Sequence, residues 1–179
     1  MSVFLDTAPY EKIKSEARFI EKIALLIPGY RGYKLKELRR EADKLVRNYL
    51  YQQLAMSKND LKTVYQRLVD NKLTDVWTEI DRLLTVFDMV SREINYASYG
   101  YSGFFDAVKI QEDNLDAMIA YDTKLIDNAK RVDLKVKQFK EEVVKGEFTN
   151  TRVHIKEIRS EVDLLDKLYR ERKNVVLGV

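Results

Sequence analysis

The chain has 179 residues, of which 45% are hydrophobic and 34% charged, with a net charge of +3. It contains no cysteine and a single histidine, His154, which excludes disulfide scaffolds, thiolate metal sites, cysteine nucleophiles and any motif needing two imidazoles. Six Gly and two Pro exclude collagenous and low-complexity chains, and the apolar content argues against disorder.

Hydrophobic spacing predicts helices throughout. The first helix is expected from a cap at Thr7, with Pro9 in its first turn, to a stop at Pro28-Gly29. Its seam runs Ile13, Ala17, Ile20, Ala24, Ile27. A second seam runs Leu35, Leu38, Ala42, Leu45, Tyr49. Ser57-Lys58-Asn59-Asp60 reads as a capping box that opens the third helix, expected over Ser57–Ala97. The phase of its seam shifts by one residue at Val69, beside Asp70-Asn71-Lys72. A continuous helix is the simpler expectation, and a break at that shift is the alternative.

The fourth helix is expected over Phe104–Lys145, with the seam Leu115, Met118, Asp122, Leu125, Ala129, Val132, Val136, Phe139, Val143. Gly146 ends it, and Thr149 to Thr151 offer caps for a fifth helix with the seam Ile155, Ile158, Val162, Leu165, Tyr169. All these steps alternate between three and four, the pattern of helices packed at shallow angles. No segment alternates with period two, so no sheet is expected.

The expected fold is therefore all-α: a single domain over residues 1–179, a five-helix bundle whose two long central helices form an antiparallel coiled-coil hairpin. Two helices of about 40 residues would each span about 60 Å. Residues 81–127 would then project as a coiled-coil arm, tipped by the loop at 99–105.

No nucleotide-binding loop, zinc-protease or serine-hydrolase motif is present. No catalytic residue, cofactor or metal site is expected. His154 reads as a flanking residue. The acidic group Asp106, Glu112, Asp113, Asp116 reads as negative charge near a helix N-terminus. Asp122 is different, because it occupies a seam position where a carboxylate needs a partner. A register-setting Arg or Lys across the arm, such as Arg82 or Arg92, is the expected partner, and a site near the tip that needs a carboxylate is the alternative.

Two features point to binding. Tyr99, Tyr101, Phe104 and Phe105 surround Gly100 and Gly103, and aromatic rings at a tip suit a partner's pocket. Between Arg31 and Arg47 there are seven basic and three acidic residues. Lys36, Arg40, Lys44 and Arg47 share a stripe that would suit phosphates of a nucleic acid or an anionic membrane surface. Several of these cations are matched locally, as in Asp43–Arg47 at i,i+4. Residues 106–127 are acidic, so the two helices can attract within or between subunits.

The stretches Ile27-Pro28-Gly29-Tyr30-Arg31-Gly32-Tyr33-Lys34 and Tyr99-Gly100-Tyr101-Ser102-Gly103-Phe104-Phe105-Asp106 resemble segments of a family of uncharacterised prokaryotic all-helical proteins. That resemblance implies no activity, cofactor or site residue.

The sequence reading is a non-enzymatic structural or protein-interaction module. It would act through the aromatic loop and the basic second helix, with a protein partner or by homodimerisation. Nucleic-acid or anionic-lipid binding through residues 31–47 is the alternative. The start, Met1–Tyr10, has neither a basic nor an apolar leader pattern. With no cysteine, a cytoplasmic location is expected.

Overall fold

The structure, a computed structural model, describes residues 38–96 and 112–177. All regular structure among them is helical. We number the helices α1 (Leu38–Asp70), α2 (Trp77–Tyr96), α3 (Glu112–Val144) and α4 (Thr151–Leu177). A single 3-10 turn, Thr74–Val76, leads into α2. The expected first helix and the tip at 99–105 lie outside the described residues.

α1 runs without interruption through Ser57–Asp60, so the capping box expected there is not used. Ser57 is wholly buried, and it sits in a seam that reads Val46, Leu50, Leu54, Ser57, Leu61, Val64, Leu68, all buried. The three-four pattern crosses the proposed boundary intact, and propagating a helix costs far less than nucleating a new one.

The break comes instead at the phase shift. The Leu73 amide donates to the Leu68 carbonyl at 3.0 Å, and the Lys72 amide to the Val69 carbonyl at 2.9 Å. These are the paired bonds of a Schellman stop, with Lys72 at φ 58 in the position usually given to glycine. One straight helix cannot aim two seams one residue out of phase at the same core. The stop at Asp70 lets Val76, Ile80, Leu83, Phe87, Val90 and Ile94 face inward from a new, antiparallel helix, all of them buried.

This corrects the expected architecture. A third helix over Ser57–Ala97 does not exist, so it cannot form the long hairpin with α3. α1 packs on α2 and α3, and α4 packs on α3 and α2. α2 and α3, the expected hairpin partners, occupy opposite corners. The described part of the expected arm at 81–127 packs into the body of the described helices, since Leu83, Phe87, Val90, Ile94 and Leu125 share one core with Val46, Leu50 and Tyr169. Four helices offer each seam two flanking neighbours, whereas an isolated pair would leave part of it in water.

The α3–α4 turn follows the sequence reading. Gly146 has φ 82; its amide donates to the Val143 carbonyl at 3.1 Å and the Glu147 amide to the Glu142 carbonyl at 2.9 Å. The Thr151 hydroxyl donates to the Phe148 carbonyl at 2.8 Å. Ion pairs link each packed pair of helices: Lys58–Asp88 for α1–α2, Lys140–Asp60 at 2.6 Å for α1–α3, Lys135–Glu157 at 2.7 Å for α3–α4 and Arg170–Glu93 at 3.2 Å for α2–α4. Such pairs are largely solvated and contribute little individually, but they agree on one register.

Candidate functional site

One end of the bundle holds a buried cluster of four charges. Asp43 enters from α1, Asp122 from α3 and Arg172 from α4. Arg172 is 2% exposed, Asp122 1% and Asp43 3%. Arg172 donates from Nε and Nη2 to the two carboxylate oxygens of Asp122. Its Nη1 donates to Asp43 Oδ1 at 2.8 Å. The second Asp43 oxygen accepts from Arg47 Nε at 2.7 Å. Two guanidinium groups and two carboxylates make the cluster neutral, which is the condition for keeping charge out of water.

Its electrostatics follow from depth. Burial pushes the Asp122 carboxyl above its usual range, against the opposing pull of Arg172. Burial alone would lower Arg172, but Asp122 and Asp43 more than offset this and hold it above its usual value. Arg172 therefore stays charged, and Asp122 takes up a proton more readily than an ordinary aspartate does. The planar fork of an arginine meets both carboxylates at fixed angles. The cluster so joins α1, α3 and α4 in one register.

Asp122 thus has the paired, register-setting place expected for it, with a different partner. Arg82 and Arg92 are both exposed; Arg172 does the pairing. A signal existed: the α4 seam Ile155, Ile158, Val162, Leu165, Tyr169 continues by the next three-residue step onto Arg172. A second buried polar contact escaped notice altogether. Asn128 is fully buried and donates to Glu161 across α3–α4 at 2.8 Å.

The basic stripe is only partly as expected. Lys36 lies outside the described residues, and Arg40 falls in the first turn of α1. Lys44 is exposed, but Arg47 is 7% exposed and committed to Asp43. Arg47 is thereby withdrawn from any phosphate-binding role, as its i,i+4 acid foreshadowed. His154 is not merely flanking: Nε2 lies 2.8 Å from Glu142 Oε2 and the ring stacks on Phe139 at 5.0 Å, so it clamps the α3–α4 hairpin. Tyr99, Tyr101, Phe104 and Phe105 lie outside the described residues, as does Asp106.

No group of three or more His, Asp or Glu side chains positioned for a metal ion occurs among the described residues. No described helix is long and apolar enough to cross a membrane.

One groove is lined by polar groups and remains open to solvent. It runs between α1 and α2, has a volume of about 320 Å³, and includes Tyr51, Lys58, Lys62, Ser91, Arg92 and Tyr96 in its walls. Tyr51 is 40% and Tyr96 65% exposed. Compared with known proteins, the chain matches no family model, no curated protein and no solved structure.

Proposed function

We propose that this protein is a non-enzymatic helical module that works by binding, with Tyr99, Tyr101, Phe104 and Phe105 as its main contact. The observation that supports this most is Tyr96. It is 65% exposed at the last position of α2, immediately before the aromatic segment, and Tyr51 stands exposed on the neighbouring helix. Exposed aromatic rings cost solubility and suit a partner that covers them. In this reading a helix ending at Pro28-Gly29 makes a fifth in the bundle, the location is cytoplasmic, and a second copy of the chain is the expected partner.

The test is sedimentation equilibrium of the parent and of a Tyr101→Ser, Phe104→Ser double variant. The parent should self-associate and the variant should run near the chain mass of 21.1 kDa. A parent that stays at that mass over a wide concentration range removes the homodimer. A variant that loses much of its thermal stability while associating like the parent shows that these rings are core.

A second reading is favoured by Lys44, which is exposed and forms no ion pair with a described residue. In the sequence it belongs with Lys36 and Arg40 to a basic stretch that would suit the phosphates of a nucleic acid or an anionic lipid surface. Arg40→Glu with Lys44→Glu should abolish retention on heparin with helicity unchanged.

A further inference from the structure

The groove between α1 and α2 has the composition of a site for a phosphate-bearing polymer with flat rings. Its charge comes from Lys58, Lys62 and Arg92 against Asp88, a net of +2. Lys58 is paired with Asp88, while Lys62 and Arg92 are exposed and have no ion pair among the described residues. Among the described residues no ion pair engages those two cations, so a bound anion would not compete with such a pair for them.

Aromatic faces flank the charge. Tyr51 comes from the α1 wall and Tyr96 from the α2 wall, both substantially exposed. Stacking on such rings tolerates any base, because each base has a π-face. A third observation concerns the lining between them. Ser91 is 7% exposed, and its hydroxyl has no hydrogen-bond partner.

Along α1 the cations of the groove line up with the exposed Lys44, which lies beyond its lining. Lys44 and Lys62 are 18 residues apart on α1, which is five whole helical turns, or about 27 Å along one line. Tyr51 and Lys58 fall near that line at heptad spacing from Lys44. A row of cations that long, interleaved with an aromatic ring, exceeds one phosphate group and suits a strand of several nucleotides. A duplex would present its bases stacked inside, out of reach of Tyr51 and Tyr96.

We propose that the α1–α2 groove binds single-stranded nucleic acid, with Lys62 and Arg92 on phosphates and Tyr51 and Tyr96 stacking on bases. This rests on the second reading above, that α1 presents its charge to phosphate, and adds the strand form, the α2 contribution and the aromatic contacts.

The full chain is titrated into fluorescein-labelled dT12 and rU12 at several salt concentrations, with anisotropy as the readout. A 12-bp duplex, AMP, and vesicles with and without phosphatidylserine are run alongside. The expected result is salt-sensitive binding of either single strand, at least tenfold tighter than duplex. Lys62→Glu and Arg92→Glu should each weaken it and reduce the salt slope by roughly 0.7 per lost phosphate contact. Tyr51→Ala with Tyr96→Ala should weaken binding by about tenfold or more with little change in slope. Lys156→Glu, on an exposed position of α4, should bind like the parent. Equal affinity for duplex, or for AMP, overturns the proposal, as does preference for anionic vesicles over the strands. Retention on heparin that ignores all groove variants overturns the groove while leaving the basic face of α1 standing; no retention of the parent at all overturns both.

Discussion

Replacing Arg172 by Met removes the centre of the buried cluster and leaves two carboxylates, 1% and 3% exposed, with only Arg47 to answer them. Breaking one partner out of a buried ion pair costs about 3–5 kcal/mol, because the surviving charge is neither solvated nor paired. For a chain of this size about 2–4 °C of melting temperature accompanies each kcal/mol, so a fall of roughly 6–20 °C is expected at neutral pH. The pH dependence distinguishes this cause from lost packing. The folded-state pKa of Asp122 already lies above the ordinary value of 3.8, and removing Arg172 moves it further up. Between the unfolded and folded values the folded chain binds the proton more readily, so raising pH through that window costs stability and lowering it restores stability. The deficit of Arg172→Met relative to the parent should therefore shrink as pH falls from 7 towards about 4. Urea unfolding followed at 222 nm, at several pH values, measures this directly. Replacing the whole cluster with apolar residues (Asp43→Leu, Arg47→Met, Asp122→Leu, Arg172→Met) should return stability to within about 2 kcal/mol of the parent or above it. A loss under about 1 kcal/mol for Arg172→Met at pH 7, or an equal loss at every pH between 7 and about 4, would refute the account of a desolvated charge.

Other substitutions probe the turns and the core. Lys72→Gly should stabilise by roughly 0.5–1 kcal/mol, since φ 58 strains any residue with a Cβ; an unchanged denaturation midpoint would argue against that strain. Gly146→Ala should cost about 1–2 kcal/mol through backbone conformation alone, because a Cβ there would meet nothing within 4 Å. Leu83→Ala, at a position 1% exposed, should cost about 2–5 kcal/mol, whereas Met89→Ala, at 50% exposure, should cost under about 0.5 kcal/mol. Trp77→Phe should change stability by at most about 1 kcal/mol, because the indole N–H it removes is buried without a partner; a larger loss in urea titration would show that this N–H is bonded in solution.

Helical type, the inward faces of α2, α3 and α4, the stop at Gly146 and the singular position of Asp122 were all legible from residue spacing. Each is a local matter: period, glycine at a left-handed position, a charge within an apolar seam. The packing partners were not legible. A seam states which face of a helix is buried but carries no label for the helix that covers it, so α2 and α3 read as a pair although α1 and α4 separate them. Lys72 gives no hint of its left-handed backbone, and only the antiparallel return of α2 makes that conformation worth its strain. Arg47 reads as one more surface cation, and Arg172 as one of many charges near the end of the chain. Their burial was decided by the convergence of α1, α3 and α4 at one end of the bundle: the i,i+4 spacing matched Asp43 with Arg47, but only the tertiary structure brought Arg172 onto Asp122 and Asp43 together.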